Sequence, residues 1–473
     1  MIKKTNREEC FLNKPTITLL VGKKPVEASV TQLVIYAQSQ IVEAHCSQNQ
    51  LYYILFYKEK MITAVNATRI RRYSHMEHAL KNGITFPAPH PLLTLLLSSN
   101  KTFPIMQKSH ISSFLTSIQR SYDTYETALI FTYLESFVPK KLLFEEIQQL
   151  YFQCRRNGQT FGCYRIIQIL KKFAPKHKWV KEFSNSLQFG KYTDLYEKPT
   201  NSLFEKDPLY LEHYYFITRE KPSHAKKLEE YYLSHKRIIS YLSLLIEACK
   251  KSIIDYQTLL SLLSPYFKKE ELTHILKNIS DHSYQCHSFH SELYERLLQE
   301  QRYIDALQLV ISKQLSLPTY NQSLDTLLEK IPVEKNPLLQ TKTVNLPLLY
   351  SNSEKAERWL QRYVRYLLVD HSLTDVLQLL RPLKDKYPTL SIIKKLETMV
   401  ELQDNPDAQR ELGDLYHEFA LMEKAIECYT FDMELHEYDP RPIQSLAKIY
   451  REIGQTDEAT MYQQLYVEVR KRA

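Results

Sequence analysis

The sequence predicts a mainly α-helical chain: an α-solenoid of stacked helix pairs, preceded by a small N-terminal α+β unit. Three observations predict this. Glycine is scarce, with 7 in 473 residues, where average usage of roughly 7% would give about 33. Apolar residues recur at helical spacing from residue 105 to the end. The C-terminal stretch also repeats itself at an interval of 34 residues.

The 473 residues correspond to two to four globular units, or to one long repeat array, at roughly 100–200 residues per domain. Hydrophobic residues at 44% and charged residues at 25% suit a folded chain that buries a sizeable core. So little glycine argues against phosphate-cradling loops, and neither GxGxxG nor GxxxxGK[ST] occurs. Tyrosine is abundant, at 34; its ring fills gaps between helices while its hydroxyl reaches a polar partner. The net charge of +8 reads as spread over the chain. Short basic runs such as Arg69, Arg71, Arg72 and Lys226, Lys227 form no long block, so nucleic acid is not an expected partner. Seven scattered cysteines without a CxxC read as reduced thiols of a cytoplasmic protein. The first residues lack an apolar signal region, and the greasiest stretch, residues 91–99, is too short to span a bilayer. A membrane association is therefore not expected.

Residues 1–90 form the expected α+β unit. TITLLV (16–21) and LYYILFY (51–57) read as strands, VGKKP turns the chain, and MITAV (61–65) can pair with 51–57 across KEK. Val30, Leu33, Val34, Ala37, Ile41 and Ala44 recur at three and four, which predicts a helix between the strands. Residues 67–83 also read as helical, with Gly83 as a left-handed cap. The Pro-rich FPAPHP places a boundary at 86–104. Helical pairs follow over 105–330, with a weak point at 198–208. A linker is expected at 331–347, then a C-terminal helical domain over 348–473.

The repeat lies in the last of these. A shift of 34 carries Leu412 onto Leu446, Tyr416 onto Tyr450, Ala425 onto Ala459, Pro406 onto Pro440 and Ala420 onto Gly454. With Gly413 beside Leu412, the pattern resembles the tetratricopeptide repeat (TPR) family, and bacterial members in particular. That family keeps a Leu-Gly, an aromatic, a small residue and a proline in a 34-residue period. The resemblance implies two antiparallel helices per repeat, with the small residue where they cross and the Leu and aromatic filling the groove between repeats. It is fair over 405–467 and loose at 140–180, 290–320 and 355–390, where Cys163–Pro175, Ala306–Pro318 and Val376–Pro388 keep a twelve-residue step. Trp359 lies in the helix before Val376. Val376 and Cys163 depart from the usual alanine, and Pro440 follows Ala425 by fifteen.

Chemistry-bearing sets are few. His282, Cys286 and His290 share one helix face at four-residue spacing, as zinc ligands can. No second cluster supports them, so a polar surface or turn is the preferred reading, and no metal or cofactor is expected. Cys154, beside Arg155 and Arg156, could be an activated thiol, but the repeat frame makes it, like Cys163 and Cys428, a buried structural one. Glu145, Glu146 and Glu229, Glu230 are adjacent, so they diverge by about 100° on a helix and read as solvated.

In the repeat frame the groove of the first helices is lined by Arg410, Asp414 and His417, then by Arg441, Gln444, Lys448 and Arg451. Four cations and one acid suit an acidic peptide, although solvated surface charges are the plainer reading. The carboxylate clamp of some TPR proteins wants Lys and Asn where Arg410 and Asp414 stand, and a second Asn where Ser445 stands, so that clamp is not expected. The sequence thus points to a non-enzymatic scaffold or adaptor that binds a protein or peptide. A peptide-sensing TPR regulator of a response regulator or of transcription, and an enzyme with its site in the N-terminal unit, are the alternatives.

Overall fold

The structure is a computed structural model that describes residues 15–22, 24–46, 50–67, 69–100, 102–197, 201–281, 286–313, 353–386 and 390–472. It divides the chain into two compact units, Met1–Phe289 and His290–Ala473. Helix predominates among the described residues, beside a single sheet of seven strands.

The first unit begins with β1 (Thr16–Val21), β2 (Lys24–Tyr36), β3 (Ser39–Cys46), β4 (Leu51–Tyr57) and β5 (Lys60–Asn66). These form an antiparallel meander in the spatial order β5-β4-β3-β2-β1. Two short helices, α1 (His75–Asn82) and α2 (Pro91–Leu97), flank β6 (Ile84–Pro87), and β7 (Phe103–Pro104) follows. A bulge between Val30 and Gln32 lets one edge of β2 change partner: residues 24–29 pair with β1 and residues 32–35 with β6. β7 runs parallel to β1, with Leu19 opposite Phe103. The next residues bridge to the far edge. Ile105 N donates to Leu20 O at 2.9 Å and Met106 N to Ala64 O at 2.8 Å. The sheet thereby closes nearly into a barrel, which removes exposed edges. Leu19, Val30, Leu33, Val42, Ile54, Phe56, Phe86 and Phe103 are buried in its core. Each contributes about 1.5–3 kcal/mol relative to exposure.

The expected helix over 30–44 is instead the β2–β3 hairpin. Its β-branched residues favour strands, and both faces are covered, so the apolar run is nearly continuous and matches helical spacing by coincidence. The expected helix over 67–83 shrinks to α1. Gly83 is not a left-handed cap: its φ is −77° and its ψ 164°. A Cβ there would lie 2.5 Å from Val34 Cγ1 and 2.9 Å from Ile35 O, so the close approach to β2 is what excludes a side chain. The expected boundary at 86–104 contains β6 and β7, both of them members of the sheet. The linker expected at 331–347 and the residues at 198–200 lie outside the described residues.

Among the described residues the first unit continues with α3 (Ile111–Ser121), α4 (Thr124–Tyr133), α5 (Lys140–Arg156), α6 (Thr160–Phe173), α7 (Lys178–Ser184), α8 (Gly190–Glu197), α9 (Asn201–Lys206), α10 (Pro208–Ile217), α11 (Pro222–Ser234), α12 (Ile238–Lys250), α13 (Tyr256–Leu263) and α14 (Lys269–Ser280). The sheet is joined to them by its hairpin tips. Ala37, Lys58 and Glu59 hold φ values of 48°, 49° and 67°, a region that β-hairpins usually give to Asn or Gly. Here the tips carry functional groups instead. Gln38 Nε2 donates to Leu209 O at 2.9 Å. Glu59 Oε1 accepts from Ser240 N at 2.8 Å and from Ser240 Oγ at 3.0 Å, which caps the first turn of α12. Arg237 donates to Ala37 O at 3.0 Å and pairs with Glu212, whose side chain is fully buried. Asp207, also buried, accepts from Arg165 at 3.1 Å and from the backbone N of Tyr210 at 3.1 Å. Buried charges of this kind persist only when paired and hydrogen-bonded.

Helix α15 (His287–Gln299) crosses the division between the units. The second unit then contains α16 (Tyr303–Lys313), α17 (Ser353–Asp370), α18 (Leu373–Lys386), α19 (Ser391–Gln403), α20 (Gln409–Glu418), α21 (Met422–Leu435), α22 (Pro440–Glu452) and α23 (Thr456–Arg472). The α20–α21 and α22–α23 hairpins reproduce the 34-residue repeat, each with a left-handed residue at its corner, Ala420 at φ 55° and Gly454 at φ 83°. Ala306 and Val376 are fully buried, as the looser frame expects, and so are Cys154 and Cys163 on α5 and α6.

Candidate partner-binding groove

The repeat positions do what their side chains allow. Leu412, Tyr416, Ala425, Leu446 and Ala459 are buried, and Tyr450 stacks on Tyr462 with ring centroids 5.3 Å apart. Gly413 sits where α20 meets α21; a Cβ would come within 2.8 Å of Tyr429 Cε1 and 3.2 Å of Cys428 Cβ. Cys428 is buried, and burial pushes its thiol up to about 11, that of an inert side chain.

Packing these positions leaves one face of each first helix outward. On α22, Arg441, Gln444, Lys448 and Arg451 are all exposed, while Ile443, Leu446, Ala447 and Ile449 are buried. On α20, Asp414 is exposed and Arg410 and His417 are half-buried. The two faces are tied together: His417 Nε2 lies 2.7 Å from Glu452 Oε2. That hydrogen bond holds the Glu452 carboxyl below its usual range.

Besides His417, three expected groove residues are engaged within the protein. Asp414 Oδ1 accepts from the Tyr429 hydroxyl at 2.6 Å, and burial and this carboxylate raise the Tyr429 pKa. Arg441 grips Asp439 with contacts of 2.6–2.9 Å, and Asp439 also caps α22 through the Arg441 backbone N at 2.9 Å. Lys448 lies 3.9 Å from Glu452. Gln444 and Arg451 make no side-chain hydrogen bond or ion pair among the described residues. Arg451 opens onto a depression between α22 and α23 that also involves Thr456, Thr460 and Gln463. Asp439 and Glu452 escaped the sequence frame. They stand just outside the positions the repeat assigns to the groove, and only the helix ends bring them back to it. They offset much of the positive charge that the seven residues suggest.

His282 lies outside the described residues. Cys286 Sγ contacts Ser288 Oγ at 3.1 Å, and His290 is buried. Among the described residues no three His, Cys, Asp or Glu side chains gather as a metal site would need. Glu145 pairs with Lys141 at 3.9 Å, and Glu146 accepts from Gln119 at 2.9 Å. In the N-terminal unit Ser39 Oγ meets His75 Nε2 at 2.9 Å, the most enzyme-like juxtaposition there. Burial drives His75 down to about 3, and the charges acting on it are His213, His78 and Lys172; among the described residues no carboxylate is paired with it to orient it as a base.

No family model matches the chain, and no curated protein does. Among solved structures, the chain is similar to one in "Structure of Naa15/Naa10 bound to HypK-THB", at 12% identity and a TM-score of 0.16. The alignment covers 76% of this chain, and this chain spans 61% of that one. No helix among the described residues is long and apolar enough to cross a membrane.

Proposed function

We propose that this chain is a non-enzymatic adaptor: a TPR-like α-solenoid whose C-terminal groove, formed by α20 and α22, takes a peptide or protein partner. The observation that carries the reading is the His417–Glu452 contact. It sets the outward faces of two equivalent helices side by side, as a continuous groove requires. Helix faces presented in this way recognise extended or helical segments through a few anchors. Arg410, Gln444 and Arg451 are the side chains left to contact a partner, since Asp414 and Arg441 serve the scaffold.

The test is affinity capture with mass spectrometry, comparing wild type with Arg410→Glu/Arg451→Glu. A partner held by wild type and lost by the variant supports the groove. A partner held equally by both moves the interaction surface elsewhere.

A further inference from the structure

Residues 140–182 contain ten lysines and arginines against three glutamates, a net +7 beside the chain's +8, so the positive charge is concentrated here rather than spread over the chain as expected. This segment is α5, α6 and most of α7. Four of its cations are occupied: Lys140 pairs with Glu135, Lys141 with Glu145, Arg165 with Asp207, and Lys172 approaches His213 at 3.5 Å. The other six, Arg155, Arg156, Lys171, Lys176, Lys178 and Lys181, are exposed and make no side-chain hydrogen bond or ion pair among the described residues.

Beside two of them the surface is aromatic. Phe152 is 38% exposed at the end of α5. Trp179 on α7 lies 5.9 Å from it, ring centre to ring centre, and stacks on Phe183 at 4.6 Å. Gln149, Phe152, Arg155 and Arg156 line a shallow depression. An exposed ring beside two guanidiniums that have no partner among the described residues matches the composition of interaction hot spots.

We propose that this α5–α7 face is a second docking surface, which takes an acidic segment of a partner protein. One aromatic or aliphatic side chain of that segment seats against Phe152, and its carboxylates engage Arg155 and Arg156. The charge supplies the choice of occupant: planar guanidiniums bind carboxylates bidentately, and a face with exposed cations that have no acidic partner among the described residues steers acidic segments toward it. The rings argue against single-stranded nucleic acid, which needs open faces on which bases stack. Trp179 is stacked on Phe183 and meets Tyr151 and Phe152 at steep angles of 89° and 67°. The surface lies in the first unit, Met1–Phe289, and the proposal stands independently of the C-terminal groove.

The experiment selects a random peptide display library on the full-length protein. The affinity of the enriched peptides is then measured on wild type, Arg155→Glu/Arg156→Glu, Phe152→Ala and Arg410→Glu/Arg451→Glu. Fluorescent oligothymidine is titrated in parallel, and circular dichroism confirms that each variant is folded. The expected peptides carry Asp or Glu beside an aromatic or aliphatic residue. They should bind roughly tenfold more weakly to both α5 variants, hold their affinity for the C-terminal variant, and weaken as salt rises. Failure to enrich peptides, or enrichment without acidic bias, overturns the proposal. So does a loss of binding confined to the C-terminal variant, which would leave the groove reading standing. Oligothymidine binding that Arg155→Glu/Arg156→Glu abolishes would reassign the surface to nucleic acid.

Discussion

The cysteines differ by burial. Burial pushes the thiols of Cys163 and Cys428 up to about 11 and that of Cys249 up to about 12. Cys286 is half-exposed, and its contact with the Ser288 hydroxyl lowers its pKa. The thiolate is the reactive form, so iodoacetamide should modify Cys286 well before those three in the native protein. Raising the pH from 7 toward 9 should speed Cys286 and not Cys163, Cys249 or Cys428, since these buried thiols stay protonated until far higher pH. Peptide mapping over a time course reads this, and labelling of Cys163 or Cys428 at the Cys286 rate in folded protein would refute it. The Arg237–Glu212 pair is the other residue-scale test. Arg237→Leu strands a fully buried carboxylate and should cost about 3–5 kcal/mol. Arg237→Leu/Glu212→Leu should recover much of that loss in urea unfolding. A double variant as weak as the single one would mean that the two charges do not depend on each other.

At the scale of elements, the helix corners repeat one device. At six of them the chain reverses through a residue with positive φ: Gly158, Lys236, Ser252, Gln301, Ala420 and Gly454. In each the next N–H reaches back to a carbonyl five residues earlier, as in Leu421 N to Tyr416 O at 2.9 Å and Gln455 N to Tyr450 O at 2.9 Å. Four of the six carry a side chain where glycine is favoured. Ala420→Gly should therefore stabilise the α20–α21 hairpin by about 1 kcal/mol, since an L-residue in that region costs about 1–2 kcal/mol. Hydrogen exchange of the α20 and α21 amides checks it; slower exchange is expected, and faster exchange would contradict the strain argument. The same corners show what the sequence could tell. The repeat was legible because Leu412, Gly413, Tyr416 and Ala425 are held in place by contact between two helices. The corners at Lys236 and Ser252 were not, because nothing local marks a left-handed lysine or serine. The β2–β3 hairpin mimics a helix in the sequence for a related reason. Its tip is Ala37-Gln38, without the Asn or Gly that signals a hairpin, because that tip is fixed by Arg237 and Leu209, about 170–200 residues away.

At the scale of the molecule, those long-range contacts decide what can fold alone. The Pro-rich stretch at 86–91 looks like a boundary, yet the sheet continues through it to Phe103 and closes beyond. The helical layer depends on the hairpin tips. Glu59 caps α12, Gln38 satisfies the Leu209 carbonyl, and Lys58 and Tyr57 hold Glu126 of α4 at 2.5 and 2.9 Å. Cutting the chain at 105 would strip Arg237 of the Ala37 carbonyl, Ser240 of Glu59 and the Leu209 carbonyl of Gln38, and each unsatisfied buried polar group costs about 1–3 kcal/mol. A marginally stable unit does not survive several such losses. The fragment 1–289 is therefore expected to melt cooperatively with a defined near-ultraviolet circular dichroism spectrum. The fragment 105–289 is expected to keep helix while losing that spectrum and binding a hydrophobic dye, the marks of unpacked tertiary structure. A cooperative native-like melt of 105–289 would show that its helices form their own core, and the sheet would then be an appended domain as the proline stretch suggests.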